Sequence, residues 1–203
     1  MKRLLPYRSY VEEDVLPMYA LLDAQANEKT TDTGFGDDGV FVKVSAGDLN
    51  DDVIYSNNAY LGKTDYPHTH DAMYASNPLK VEAAASGETP IGVTLYETAK
   101  YDENGESLLY NKEKRDRAHC VIPGQSTPIL TRGVITVSAG SIDGAALTVG
   151  GGFIVSLTTA GKIEGVAAGT AGSLGTVLGT GTRTTQTDIA DKFAGAYAMI
   201  SLK

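Results

Sequence analysis

Val40-Phe41-Val42-Lys43-Val44 alternates apolar and polar positions and reads as a strand, closed by Ala46-Gly47. Ile91, Val93 and Leu95 share one face of Ile91-Gly92-Val93-Thr94-Leu95-Tyr96, since a period of two sends every second side chain to the same side. Asn104-Gly105 is a hairpin turn signal, with Ser107-Leu108-Leu109-Tyr110 as its return strand. After Cys120 the chain is strand and turn to its end. The pattern predicts strands over 119–122, 128–137, 146–149, 153–158, 162–167, 174–178 and 194–202.

Before residue 40 the pattern is weaker. Val15-Leu16-Pro17-Met18-Tyr19-Ala20-Leu21-Leu22 is the one strongly apolar piece. Met18, Leu21 and Leu22 fit one face of a short helix starting at Pro17, although so short a run also fits a strand. Residues 27–39 are polar and rich in turn formers. Residues 50–80 are irregular, with Asp52-Val53-Ile54-Tyr55 as a short strand among them. Asn111 to Arg117 is a charge run, read as a solvated edge or loop. The expected fold is all-β: a compact β-barrel or sandwich with an extended N-terminal arm and a long irregular loop region. The expected divisions are 1–38 for the arm, 39–88 for a β and irregular interface region, and 89–203 for the β-barrel. Deleting residues 1–36 is then expected to leave the body folded.

Composition sharpens this picture. Between Gly133 and Thr182 there are 13 glycines and only three charged residues, Asp143, Lys162 and Glu164. Poor helix propensity and close turns favour a compact β body there. The net charge is -8, so the overall field repels phosphate, and no direct binding of nucleic acid is expected. No apolar run is long enough for a transmembrane helix, so no membrane partner is expected. The single cysteine, Cys120, has no intramolecular disulfide partner. It lies in the apolar run His119-Cys120-Val121-Ile122 and reads as a buried thiol.

Candidate chemistry is sparse. On a strand, His68 and His70 of His68-Thr69-His70-Asp71 would share a face, but the preceding Tyr66-Pro67 suggests an exposed loop and the further ligands of a zinc site are lacking, so they read as structural or surface histidines. Asp48 to Asp52 lacks the ligand spacing of a calcium loop and reads as a solvated acidic turn. Gly150-Gly151-Gly152 and the glycines of 169–175 have neither the Lys-Ser/Thr pair nor the strand-turn-helix setting of a phosphate loop. No GxSxG elbow occurs. The chain is read as non-enzymatic, with no catalytic residue, metal or cofactor.

Ile91-Gly92-Val93-Thr94-Leu95 is followed by Pro123-Gly124-Gln125-Ser126-Thr127-Pro128-Ile129-Leu130-Thr131-Arg132-Gly133. Then come Gly161-Lys162-Ile163, Gly175-Thr176-Val177-Leu178-Gly179 and the apolar Ala196 to Leu202. In these turns and strands the segment from Thr89 to Lys203 resembles the head-decoration, or capsid-cement, proteins of tailed phages. The resemblance implies a β-barrel made in the host cytoplasm and carried on the phage head surface. Such a protein associates with itself as a homotrimer or homodimer and clamps adjacent subunits of the major capsid protein. Two segments are the expected contacts: the arm at Leu16, Met18, Tyr19 and Leu22, and a tyrosine-rich loop at Tyr55, Tyr60, Tyr66 and Tyr74. Tyrosine joins apolar area to a hydroxyl and is enriched at interfaces. The alternatives are a tail-tube or baseplate structural protein, and a receptor- or carbohydrate-binding module on the particle surface.

Overall fold

A computed structural model describes residues 3–19, 37–46, 80–99, 101, 104–122, 126–183 and 195–203. The described chain is mainly β. Its strands are β1 (Leu4–Ser9), β2 (Val15–Tyr19), β3 (Phe41–Ala46), β4 (Lys80–Ala83), β5 (Gly92–Thr94), β6 (Glu97–Thr98), β7 (Cys120–Val121), β8 (Ser126–Leu130), β9 (Gly133–Ser138), β10 (Gly152–Val155), β11 (Ile163–Val166), β12 (Gly175–Arg183) and β13 (Gly195–Leu202). One α-helix, α1 (Lys112–Arg117), lies among the described residues.

One sheet has six strands in the order β1-β9-β13-β12-β10-β11, all antiparallel. The second follows the circuit β2-β4-β3-β5-β8 and returns to β2 through the antiparallel β2–β8 ladder. Its β2–β4 contact is the single parallel pair Tyr19 with Lys80, so the circuit closes at one residue pair.

The two sheets share a core. Leu4, Ile135, Val137, Phe153, Ile163, Val177 and Ile200 from the first sheet pack with Phe41, Val93 and Leu130 from the second. Phe41 and Phe153 meet edge to face with ring centroids 6.1 Å apart. This is the arrangement of a β sandwich, in which inward-facing side chains of two sheets interdigitate. The apolar alternation of 195–202 arises here, with Ala198, Ile200 and Leu202 buried in that layer; in β3 Phe41 enters it, whereas Val42 and the preceding Val40 turn to another core and Val44 is exposed. At Gly175 a Cβ would lie 1.9 Å from the Ser201 carbonyl oxygen and 2.9 Å from the Phe153 ring, so only glycine lets these elements close up. A second, smaller core of Met18, Val40, Val42, Val81, Ala83 and Ile129 fills the β2-β3-β4-β8 end.

The described part of the expected N-terminal arm is instead built into both sheets. β1 pairs with β9, and β2 pairs with β8 over its whole length. Leu4, Leu5 and Met18 are core residues. The physical reason is burial: three large apolar side chains in a short segment are stabilised by leaving water, which a projecting arm would not allow. The short helix at Pro17 is corrected to a strand, with Pro17 opposite Pro128 in the register. β5 and β8 of the expected 89–203 body hydrogen-bond to β3 and β2, so the second sheet draws on all three expected segments.

Three local expectations also change. The charge run 112–117 is a helix, capped by the Asn111 side chain, which accepts from the Lys114 N–H at 3.1 Å. Lys, Glu and Arg are good helix formers, and an Asn cap satisfies one of the orphan N–H groups of the first turn. Asn104-Gly105 does turn the chain, with Gly105 at φ 81°, but Tyr101 and Ser107 meet only in an isolated bridge and 108–110 is a turn. Residues 146–149 are not a strand. This segment packs against β11 at Gly165, where a Cβ would lie 2.2 Å from the Ala146 carbonyl oxygen.

Candidate interaction surface

The expected contact residues fall in different places. Leu16, in β2, is 37% exposed. Met18, two residues further along on the same side of the strand, is 1% exposed and belongs to the smaller core, so it is corrected from a surface contact to a packing residue. Tyr19 ends β2 and pairs with Ser126 and Lys80 in the register. Leu22, Tyr55, Tyr60, Tyr66 and Tyr74 lie outside the described residues, as do His68, His70, Asp71 and Asp48 to Asp52.

Exposed apolar area gathers instead at the corner joining β1 to β2. Tyr7 is 58% exposed and Val11 60%, with Tyr10 between them also exposed. The corner is held on both sides. The Thr131 N–H and hydroxyl both donate to the Asp14 carbonyl oxygen, each at 2.9 Å, and the Asp14 N–H donates to the Val11 carbonyl oxygen. Tyr10 passes so close to Gly133 that a Cβ there would sit 2.7 Å from the Tyr10 Cβ. Exposed Glu12 and Glu13 follow these apolar residues along the chain. Large apolar side chains fixed in water by a stiff frame mark contact surfaces, because little ordering entropy remains to be lost on binding.

A second group lies on the insert between β5 and β8. β6 and β7 pair in parallel over a small core of Ala99, Leu108 and Cys120. The Cys120 thiol is buried and reaches a Glu97 Oε2 at 3.5 Å and the Ala118 carbonyl oxygen at 3.6 Å. Just past the Ala118 C-cap of α1, His119 takes a left-handed φ of 50° where glycine is the usual residue. The His119 ring lies 5.5 Å from that of Tyr96. Tyr110, 87% exposed, precedes the helix, and Tyr101 is exposed nearby in sequence.

Two carboxylate clusters are structural. Asp38 Oδ1 accepts from the Arg3 backbone N–H at 3.1 Å, and Arg3 Nε lies 3.5 Å from Asp37. Burial pushes both aspartates above their ordinary pKa, outweighing the pull of Arg3 on Asp37 and of the Arg3 N–H on Asp38. Burial likewise lowers that of Arg3. Asp143 is the opposite case. Hydrogen bonds from the Thr159 and Thr158 hydroxyls, with smaller help from the Gly144 N–H and the Ser156 hydroxyl, hold its carboxyl at about 2. Its donors already satisfy it, and it pins the 156–159 turn to the 142–144 loop. Among the described residues no three His, Cys, Asp or Glu side chains are grouped to hold a metal ion.

Sequence reasoning missed Tyr7 and Val11 because neither sits in a long apolar run. The available signal was their place between Pro6 and Glu12, at a polar break where large apolar residues have no core to enter. Comparison with protein-family models, with curated proteins and with solved structures finds no match to this chain.

Proposed function

We propose that this chain is a structural protein of a tailed-phage particle that binds the outer capsid surface and holds adjacent major capsid subunits together. It catalyses no reaction in this reading. The observation that carries it is the pinned Tyr7-Tyr10-Val11 corner on a β body whose two sheets share one core. A cement protein has to be stiff and to present apolar and hydroxyl-bearing contacts without reordering. Many modest contacts repeated over a lattice then sum to a large stabilisation. The capsid as partner comes from the motif resemblance of residues 89–203.

The test is co-sedimentation with expanded, undecorated phage heads, comparing the wild-type chain with a Tyr7→Ser, Val11→Ser variant. Saturable binding at a fixed ratio to the major capsid protein, weakened at least about tenfold in the variant, is expected for the loss of two interface anchors. Absence of wild-type binding overturns the proposal, and spontaneous rings or tubes would point to a tail component.

A further inference from the structure

The six-stranded sheet protects its edges unevenly. At β11 the 142–146 segment covers the outer side, with Asp143 N–H on the Ile163 carbonyl and Gly165 N–H on the Ala145 carbonyl. At β1, Asp38 takes backbone N–H groups, Pro6 has none to offer, and the Arg8 guanidinium caps the Leu5 carbonyl at 3.3 Å. β12 differs. β10 pairs only with its first residues, Gly175 and Thr176, and Val177 is met by Gly150 and Gly151. From Leu178 to Arg183 no described residue pairs with the side of β12 away from β13.

The register says which groups face that open side. Adjacent residues of an antiparallel strand turn their peptide groups to opposite sides. The Ser138 N–H bonds to the Arg3 carbonyl, so Ser138 faces β1 and Val137 faces β13, opposite Ala198. Met199 and Tyr197 therefore face β12 and meet Gly179 and Gly181. Thr180 and Thr182 are left with their N–H and C=O groups pointing outwards. Both are exposed, and between Leu178 and Arg183 there is no proline, and Arg183 is the one charge. These are the devices that normally blunt an edge.

We infer that this edge is a self-association site, where β12 of a second copy pairs antiparallel about a two-fold axis centred on Gly181. The stretch is self-complementary in that register. Thr180 of each copy faces Thr182 of the other, so the outward groups exchange both N–H···O bonds and the side chains form Thr–Thr cross-strand pairs. Arg183 faces Gly179, where a Cβ would meet nothing within 4 Å, and the two Arg183 charges lie at opposite ends. At the centre, glycine faces glycine. The Tyr197 ring already lies over Gly181, where a Cβ would be 2.4 Å from the ring, and the axis brings the two rings together across the glycine pair. The interface is isologous and closes at two copies.

This deepens the proposed function by placing self-association, but it does not depend on capsid binding. Mass in solution reads one and co-sedimentation reads the other, so either can fail alone. The experiment is light scattering on the full chain across a concentration series, for the wild type and for Thr180→Pro. Proline removes an outward N–H that bonds to no described residue, so far-UV dichroism is expected to be unchanged. The wild type is expected at twice the 21.3 kDa chain mass, falling to a single copy in Thr180→Pro. Thr180→Lys with Thr182→Lys keeps every N–H, sets lysine against lysine across the axis, and is expected to give the same loss should the proline variant fail to fold. A wild type that stays monomeric or forms trimers, or a folded variant that remains dimeric, overturns the inference.

Discussion

β1 and β12 lie in one sheet, yet one is closed to further pairing and the other is open. β1 is short, carries Pro6, and has its spare backbone groups met by Asp38 and Arg8. β12 is the longest strand described, and among the described residues its last six have a partner on one side only. The difference shows that edge protection is a property of particular side chains and not of position in the sheet. It takes a carboxylate and a guanidinium to quiet β1, while Thr-Gly-Thr-Gly leaves β12 available.

The largest effect expected from breaking this contrast is loss of the β1 side altogether. Deleting residues 1–19 removes two strands together with Leu4 and Met18. Since folded domains hold only roughly 5–15 kcal/mol in reserve, the cooperative thermal transition should disappear. A truncated chain that still melts cooperatively near the wild-type temperature would return residues 1–19 to the status of an arm.

Next comes Asp38→Ala, which uncovers the N–H groups of Arg3 and Leu4 and leaves the buried Arg3 with less negative charge nearby. The expected cost is about 1–3 kcal/mol by denaturant unfolding. An unchanged midpoint would mean that Asp38 does not quiet this edge.

The acid limb of stability separates the two kinds of carboxylate. Asp143 has its folded pKa held at about 2, below the ordinary 3.8. Its contribution is therefore full above pH 3.8 and lost as the pH falls from there through about 2. Asp37 and Asp38, raised by burial, act with the opposite sign: they favour the fold at low pH and lose that contribution as the pH rises through their folded values. Asp143→Asn should flatten the loss of melting temperature between pH 4 and 2, a window set by the 3.8 and about 2 of Asp143. A slope equal to that of the wild type would remove Asp143 from the account.

The smallest effect on stability belongs to the open edge. At dilutions where the wild type is also a single copy, Thr180→Pro should unfold within about 0.5 kcal/mol of it, as surface changes that touch no special feature do. A larger loss would mean that the Thr180 N–H is bonded within the chain.

The β13 and β10 strands were legible because one face of each is buried, so Ala198, Ile200 and Leu202, or Phe153 and Val155, recur with period two. β12 was legible only to Leu178, where burial stops. Beyond it the strand is held by the backbone ladder to β13, and a ladder leaves no mark on side-chain pattern. Helix α1 was hidden for a related reason: none of its residues is buried, so no apolar stripe exists, and its signal was the Asn111 cap. The N-terminal strands were misread as an arm because their partners, β9 and β8, lie more than a hundred residues away. At the surface, the sequence offered Leu16 and Met18 alike as contacts and could not separate the 37% exposed Leu16 from buried Met18, two residues on.

Amide hydrogen exchange of the full chain at low and high concentration tests the contrast most directly. The Gly179 and Gly181 amides, bonded to β13, should be protected at both concentrations, while Thr180 and Thr182 should exchange freely when dilute and become protected when concentrated. Protection of Thr180 and Thr182 that does not change with concentration would contradict an open edge that closes on a second copy.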